Sequence, residues 1–552
     1  MSGDLGIILS GATTQEATAQ VLKAAEKGKI REGMLVSIES QIDSSKILAR
    51  ISQIIPYNEF YIEGDPFSES RREDKHIPEE VAREYEIAKL ELLLKINEGE
   101  IRFPPKPGDR LKEIDITKDT KAIFGVERGT TGIIWFGTML GYENAEVPIN
   151  IKNLPMHMAV FGVTGSGKSY TMGGLIEKLS HIPGSKPNSF ISYPMIIIDA
   201  NGDYCEYAEK MRLNQAEWVH QYIFPDIYRE LDRKKDESTK YKKPIGIDLN
   251  KLTDREVAEI ILLFSKGGLG EQSELQIFGL EMLFAEMKDN KMEDLNEIFV
   301  YHYDKLLDKL DQAPKDILVW STKAAIKRAL NQFREVIVNK HQLLQTDSPL
   351  KSDKFVEDIT KDGGIAIFDF SAEGAPGVDL KTKQFVMTYL ASLLFEKFTE
   401  YKKRKETRYL LFIIEEAQNF CPDKTYPVSS SLAHSKLSAI ATQGRKFGLS
   451  LCLISQRPSF VDRTVLSMMN SFIIHRIAPE DVVFVKSVCG GLPESVEKKL
   501  TTLSQGHIIF TGQMNTVPFP LIEKIRKNID RITPHTGGSV DPIGDLERAR
   551  GI

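Results

Sequence analysis

From residue 154 onward, short apolar runs alternate with helix-compatible segments. Each run is nearly continuously apolar, which is typical of strands buried on both faces of a parallel sheet. The alternation predicts an α/β fold with a doubly wound sheet. Residues 251–345 interrupt it with largely helical sequence, which predicts an inserted helical bundle. The strand candidates are residues 157–161, 195–199, 365–370, 409–414, 449–454, 471–475 and 506–511.

Residues 1–150 show a different pattern, with short β-like runs separated by Gly, Pro and Asn turns, which predicts a small β-barrel or sandwich. The runs are Leu5–Ser10, Met34–Glu39, Ile47–Ile55, Ile133–Leu140 and Val147–Ile151. Near residues 78–97, Val81, Tyr85, Ala88 and Leu92 follow helical spacing. We therefore expect a helical insertion that packs on the barrel, with a partner-binding helix as the alternative.

Composition narrows the possible settings and partners. A chain of 552 residues requires several domains. Its net charge of −6 gives no global nucleic-acid footprint, so any DNA contact must be local, as in a lined channel. The four cysteines are widely separated, which fits a reducing cytoplasm and argues against structural zinc. Without a long apolar run or a signal-peptide pattern, we expect a cytoplasmic protein that does not enter a membrane.

Residues 157–169, HMAVFGVTGSGKS, place a Gly-xxxx-Gly-Lys-Ser loop between a strand and a helix. This is the context that a phosphate-binding P-loop requires, although a chance glycine turn is the alternative. Backbone N–H groups would cradle a nucleoside triphosphate, and the lysine would contact its β- and γ-phosphates. The serine hydroxyl could bind Mg²⁺. The predicted nucleotide-binding residues are Gly162, Thr164, Gly165, Ser166, Gly167, Lys168 and Ser169.

Acidic residues follow two of the predicted strands. The run YLLFIIEEAQ ends its strand in Glu415 and Glu416, on the side where the P-loop would lie. We assign Glu415 to Mg²⁺ and Glu416 to the attacking water, with solvated turn residues as the alternative. Asp199 lies at the end of another apolar strand, in the run IIIDANGDY. It either supports Mg²⁺ or the attacking water through a second shell, or it builds a strand-end turn with Gly202.

Three further polar residues follow or precede predicted strands. Gln456 lies at the carboxyl end of its predicted strand and could sense the γ-phosphate. The alternative is a polar residue that only ends the strand. Arg445 follows a predicted helix and could be an arginine finger offered to another subunit, or a cation that complements the helix dipole. Arg476 is the competing finger candidate.

Taken together, GVTGSGKS, IIIDANGDY, FIIEEAQ, GRKFG and SQRP, in this order, resemble the HerA family of hexameric DNA-translocating ATPases. The N-terminal region with GATTQEA is similar to that family's barrel domain. The resemblance implies that Lys168 and Ser169 bind ATP and Mg²⁺, Glu416 is catalytic, Arg445 is the trans finger and Gln456 the sensor. Gln418 stands where the family usually has His, which puts a coupling role of this position in doubt.

The resemblance also implies a homo-hexameric ring around double-stranded DNA, with a partner docked on the barrel face. That partner would be a NurA-like nuclease in end resection, or a nuclease or sirtuin-type effector in anti-phage defence. The alternative function is a nucleotide-controlled ring scaffold that regulates the effector with little translocation. An FtsK-like packaging or conjugation motor is a further possibility, whereas a transporter-type ABC ATPase is disfavoured because the only LSG precedes the P-loop.

The resulting domain division has four parts. Residues 1–150 form the barrel domain, and residues 151–250 with 346–528 form a RecA-like ATPase core. Residues 251–345 are the helical bundle and residues 529–552 a C-terminal tail, mobile by default. Two segments are candidates for contacting DNA in a channel, Ser265–Gln272 and Tyr401–Arg408. For the second, a solvated run of charges is the favoured interpretation.

Overall fold

The computed structural model describes most of the chain. The described residues are 4–23, 25, 29–41, 44–58, 61, 84–116, 118–186, 188–209, 216–265, 273–289, 294–314, 318–427, 431 and 433–527. Two compact units emerge. A barrel unit comprises Met1–Thr130, Thr138–Pro148 and Asn515–Leu521, and a core unit comprises Thr131–Gly137, Ile149–Met514 and Ile522–Ile552.

Six antiparallel strands close the barrel in the order β1-β2-β5-β4-β3-β6. The strands are β1 (Asp4–Ile8), β2 (Glu16–Val21), β3 (Leu35–Glu39), β4 (Lys46–Tyr57), β5 (Tyr85–Lys95) and β6 (Arg110–Glu113). Alternate residues fill the barrel interior, such as Ala17, Ala19 and Val21 of β2. The two-residue period of a strand thus separates the packed face from the outer face.

The helical insertion predicted near residues 78–97 is wrong where the structure describes it, because residues 85–95 form strand β5. Ala88, Leu90, Leu92 and Leu94 are buried while their neighbours are more exposed, a two-residue alternation. The spacing of Tyr85, Ala88 and Leu92 matched a helix only because the segment is rich in apolar residues. Pairing with both β2 and β4 fixes the extended conformation. Val81 lies outside the described residues.

The core unit contains most of a twelve-stranded sheet of order β14-β13-β15-β12-β16-β17-β9-β18-β19-β20-β7-β8. Two runs expected in the barrel, β7 (Ile133–Met139) and β8 (Glu146–Asn150), pair in this larger sheet instead. The separate pair β10–β11 forms a two-stranded sheet. The remaining strands are β9 (Met158–Phe161), β10 (Ile182–Pro183), β11 (Phe190–Ile191), β12 (Met195–Asp199), β13 (Val219–Ile223), β14 (Lys242–Pro244), β15 (Ile365–Asp369), β16 (Leu410–Ile414), β17 (Leu449–Ser455), β18 (Ser471–Ile474), β19 (His507–Gly512) and β20 (Leu521–Lys524).

From β14 to β18 every neighbouring pair in this sheet is parallel. This confirms the predicted α/β fold, and all seven predicted strands are present within two residues of their expected bounds. Strands β13 and β14 were not predicted. β18 and β19 pair antiparallel, so the parallel part of the sheet ends at β18.

Helices connect the strands of the sheet. The α-helices are α1 (Thr120–Phe124), α2 (Lys168–Leu179), α3 (Glu206–Glu209), α4 (Pro225–Arg233), α5 (Asp254–Ser265), α6 (Glu274–Asp289), α7 (Leu295–Tyr301), α8 (Tyr303–Gln312), α9 (Trp320–Phe333), α10 (Phe355–Asp362), α11 (Leu380–Lys403), α12 (Ala433–Gln443), α13 (Arg463–Leu466), α14 (Val482–Val488) and α15 (Glu494–Glu497). Helices α5 to α9 occupy the segment for which a bundle was predicted. In the described part of the chain, no helix combines the length and apolarity needed to cross a membrane.

The parallel register determines which residues meet at the site. Phe161 of β9 lies opposite Ser455 of β17 and Ile474 of β18, so these three strands end at the same level. Ile414 of β16 lies opposite Leu453 of β17. The loops that follow these strands therefore leave from one edge, here called the carboxyl edge, which is where open α/β sheets bind their ligands.

Candidate nucleotide and catalytic site

The P-loop leaves β9 at the carboxyl edge and leads directly into helix α2. Gly167 precedes the helix with φ +105°, a conformation that side chains other than glycine rarely adopt. Gly162 is needed for a different reason, since a Cβ there would lie 2.6 Å from the Cβ of His475. Because the first backbone N–H groups of a helix have no intrahelical partner, the loop and the start of α2 can receive a phosphate.

Lys168 lies in the first turn of α2, with its side chain folded back on the loop. Its Nζ donates hydrogen bonds to the carbonyl oxygens of Gly162 and Val163, at 2.7 and 3.2 Å. Burial lowers the pKa of Lys168, and the carboxylates of Glu416, Glu415 and Asp203 act in the opposite direction. The lysine is thus an ammonium group already held beside the place where phosphates would bind.

Glu416 receives two amide hydrogen bonds. The Nε2 atoms of Gln456 and Gln418 donate to its Oε1 and Oε2, each at 2.5 Å. Gln456 in turn accepts from the Oγ1 of Thr164 at 2.5 Å, and Gln418 accepts from the Oγ of Ser455 at 2.9 Å. One hydrogen-bonded chain therefore joins the P-loop to the ends of β16 and β17, with Glu416 at its centre.

The backbone of Glu416 is also unusual. Its φ and ψ are both 48°, which places a non-glycine residue in the left-handed region. Such a conformation costs on the order of 1–3 kcal/mol and persists where the surroundings hold it. Here it turns the chain immediately after β16, so that Glu416 is half-buried while its neighbour Glu415 is buried.

Glu415 accepts hydrogen bonds from the hydroxyl of Tyr204 at 2.9 Å and from the N–H of Ala200 at 3.2 Å. Burial raises its pKa well above the ordinary value, and the nearby carboxylates of Asp199 and Asp203 raise it further. Of the two adjacent glutamates, Glu416 is therefore the one that presents an accessible carboxylate.

Asp199 builds the turn that follows β12, one of the two alternatives that the sequence left open. Its two carboxylate oxygens accept hydrogen bonds from four backbone N–H groups, those of residues 201 to 204, at 2.7 to 3.3 Å. The turn places Tyr204 against Glu415 and Asp203 near Lys168. Sequence reasoning did not single out Asp203 or Tyr204, although their position directly after a buried strand end was the available signal.

The carboxyl edge offers oxygen atoms of the type that Mg²⁺ prefers as ligands. The Ser169 hydroxyl and the Glu415 carboxylate, which the sequence assigned to Mg²⁺, are oxygen donors of this type. Both oxygens of Glu415 accept hydrogen bonds here, from Tyr204 and Ala200. The charges of Glu415 and Glu416 both act on Lys168, so both carboxylates lie near this lysine. Asp199 is occupied by its turn and would support the ion only through a second shell.

The two arginine candidates lie at opposite edges of the sheet. Arg476 follows β18 at the carboxyl edge, where its carbonyl oxygen accepts from the N–H of Val163 at 2.8 Å. Arg445 lies in the 3₁₀ turn Gly444–Phe447, just before β17 begins. Both side chains are exposed.

Arg445 is therefore far from the P-loop of its own chain. β17 has seven residues, which at about 3.3 Å each separates its ends by roughly 20 Å. His157, at the start of β9, is close enough to Arg445 for that charge to contribute to lowering the histidine's pKa to about 4, although burial is the larger cause. The structure thus brings together Thr164, Lys168, Glu416 and Gln456 but not Arg445.

Comparison with known proteins agrees with this geometry. Residues 134–394 match the family model described as "Helicase HerA, central domain". The central part of this chain is therefore similar to the HerA family of P-loop ATPases. The chain is an ATP hydrolase, and the hydrogen-bonded set around Glu416, together with Lys168 of the P-loop, is its candidate catalytic centre.

Curated relatives extend the similarity over nearly the whole chain. A protein named DNA double-strand break repair helicase HerA, from Sulfurisphaera tokodaii, is 25% identical over 95% of this chain and 93% of its own length. The protein of the same name from Saccharolobus solfataricus is 24% identical over 99% of this chain and 96% of its own. Among solved structures, VirB4 of Thermoanaerobacter pseudethanolicus has 13% identity and a TM-score of 0.48, covering 73% of this chain and 99% of that one.

We predict that Lys168→Ala abolishes ATP binding, because the loop loses the cation that contacts the β- and γ-phosphates. Equilibrium binding of a fluorescent ATP analogue measures this. Lys178→Ala is the matched control, since Lys178 lies on the same helix α2 but in its last turn. Normal binding by Lys168→Ala, with the helix intact, would show that the loop is not the nucleotide site.

We also predict that Glu416→Gln binds ATP with normal affinity but hydrolyses it about 10²–10⁴-fold more slowly, because only the water-orienting carboxylate is lost. Single-turnover hydrolysis and analogue binding separate the two effects. Glu415→Gln is the comparison. If Glu416→Gln hydrolysed ATP normally while Glu415→Gln did not, the two roles would have to be exchanged.

Proposed function

We propose that this HerA-type ATPase is an ATP-driven motor that moves along double-stranded DNA as a ring of six subunits. The observation that carries the proposal is the similarity to named DNA double-strand break repair helicases along 95% or more of the chain. It is supported by a P-loop, a carboxylate and an amide that are joined by hydrogen bonds at one edge of the sheet.

In the proposed reaction, Lys168 holds the β- and γ-phosphates and Glu416 orients the attacking water. When held by Ser169 and Glu415, Mg²⁺ would neutralise part of the charge of the phosphates. Gln456 contacts both Thr164 of the P-loop and Glu416. This position would be next to the γ-phosphate, which is bound before cleavage and released after it. We assign it the sensor role for that reason.

The segment after Gln456 is connected to helix α14. The Nε of Arg457 donates to the buried carboxylate of Asp481 at 3.1 Å, and the Oγ of Ser459 donates to the same group at 2.5 Å. Asp481 directly precedes α14. A shift of Gln456 on phosphate release would therefore reach this helix through the ion pair between Arg457 and the buried Asp481.

We further propose that Arg445 acts on the nucleotide of a neighbouring subunit. An exposed arginine roughly 20 Å from the P-loop of its own chain cannot serve that loop, but it can be presented to another copy. Arg476, beside its own P-loop, is better suited to a role within the same subunit.

The DNA contact of the motor would be local and sequence-independent. The net charge of −6 excludes an overall basic surface. A channel lined by six copies needs only one or two lysines or arginines per subunit to hold phosphates, which every sequence presents equally. The described channel candidate is the end of α11 and the segment after it, Tyr401–Arg408, whereas residues 266–272 of the other candidate lie outside the described residues.

The motor would work with an effector docked on the barrel face. We propose a NurA-like nuclease in DNA end resection, or a nuclease or sirtuin-type effector in anti-phage defence. Native mass spectrometry of the chain, alone and with the products of neighbouring genes, would show both the six-membered ring and the partner.

We predict that duplex DNA strongly stimulates ATP hydrolysis and that DNA binding weakens steeply with salt, with little sequence preference. Steady-state ATPase assays and duplex binding over a salt series measure these effects, with Glu416→Gln as the background control. ATP hydrolysis that does not respond to duplex DNA, by a chain that still assembles with its effector, would favour a ring scaffold over a motor.

We predict that Arg445→Ala slows hydrolysis by about 10³–10⁵-fold while ATP binding and folding are retained. Mixing Arg445→Ala with Glu416→Ala should restore part of the activity, because some interfaces then combine an intact Glu416 with an intact Arg445. Lys446→Ala, an exposed cation in the same turn, is the control. Absence of recovery in rings that exchange subunits would contradict the shared site and make Arg476 the next candidate.

A further inference from the structure

A fully buried histidine, His475, lies directly against the P-loop. It follows β18 at the carboxyl edge, and its backbone N–H donates to the carbonyl oxygen of Phe161, the last residue of β9. Neither the catalytic chain around Glu416 nor the phosphate contacts of Lys168 involve its side chain. The ring therefore has no role in the reaction as described above.

The ring contacts the curved part of the loop. Its Nδ1 lies 3.1 Å from the carbonyl oxygen of Ser166. Because a carbonyl oxygen only accepts, Nδ1 must carry the hydrogen, and Nε2 is left as a bare acceptor. In the described part of the chain, Nε2 has no hydrogen-bond partner. The same carbonyl also accepts from the N–H of Gly506 at 3.2 Å.

The side chain of His475 packs against two of the loop glycines. A Cβ on Gly162 would meet the Cβ of His475 at 2.6 Å, and a Cβ on Gly167 would lie 3.7 Å from its Cε1. His475 thus excludes a side chain at position 162 and is in van der Waals reach of Gly167. A loop that packs closely on a rigid ring loses less conformational freedom when it binds a phosphate.

The surroundings also keep the ring neutral. Burial, together with the charge of Lys168, lowers the pKa of His475 to about 3. A cation at this point would repel the ammonium group that the phosphates need. A neutral imidazole that donates through Nδ1 can hold the Ser166 carbonyl without adding a positive charge beside Lys168.

We propose that His475 is a positioning residue for ATP, which holds the P-loop in its phosphate-binding curve through the Nδ1–H bond to Ser166 and the packing against Gly162 and Gly167. The proposal rests on the assignment of this loop as the nucleotide site. It predicts that His475 affects binding of the nucleotide more than the chemical step, because the curve of the loop is required equally before and during cleavage.

The test compares three variants of the full chain. His475→Leu removes the donor and should weaken binding of a non-hydrolysable ATP analogue about tenfold, with a similar rise in KM and a kcat within about threefold of the parent. His475→Asn keeps an N–H donor near the position of Nδ1 and should recover most of the affinity. His341→Leu is the control, because His341 is also buried and has no ring hydrogen bond among the described residues.

The outcomes separate this inference from the assignment of the site. Normal affinity in a folded His475→Leu chain, or an equal loss in His475→Asn, would overturn the positioning role. If Lys168→Ala bound the analogue as well as the parent, the nucleotide site itself would be wrong. Should His475→Leu fail to fold, His475→Ala compared with His475→Asn gives the same contrast.

Discussion

The parallel pairing of β9 with β17 and β18, and of β17 with β16, is the constraint on which the candidate site depends. Phe161, Ser455 and Ile474 end their strands at the same level. The residues that follow β9, β17 and β18 must therefore leave the sheet side by side. A shift of one residue in this register would turn every side chain of a strand to the opposite face. The register of the sheet therefore determines which residues can meet at the site, and the loops act within that limit.

Burial then gives different roles to residues that look alike in sequence. Glu415 and Glu416 are adjacent and chemically identical, yet one is buried against Tyr204 and the other accepts from two glutamine amides at the loop. The left-handed backbone of Glu416 produces this difference by turning the chain at that residue. Gln418, the residue that departs from the family pattern, has a defined contact here, since it holds one oxygen of Glu416 and accepts from Ser455.

The parts that could be predicted from the sequence are those that rest on local signals. Seven buried strands, the P-loop and the strand-end carboxylates follow from apolar runs, glycine spacing and the rule that ligands bind at the carboxyl edge. Strand β5 was mistaken for a helix because Tyr85, Ala88 and Leu92 fit both periods, and only pairing with β2 and β4 decides between them. His475 and Asp203 were missed because their importance lies in packing between strands that are distant in sequence, which no local pattern encodes.

The two edges of the sheet divide the proposed machinery. The residues proposed to bind and cleave the nucleotide within one chain lie at the carboxyl edge, whereas Arg445 lies at the amino edge, one strand length away. Its turn adjoins Gly448, where a Cβ would overlap the carbonyl oxygen of Arg408 at 1.9 Å, so the approach to β17 is tightly fixed. A rigid sheet cannot bring these edges together by bending. If Arg445 takes part in hydrolysis, the only physical route is a second copy whose amino edge faces the first copy's carboxyl edge. Repetition of that head-to-tail contact either closes a ring or extends a filament, so the same arginine would link catalysis to assembly.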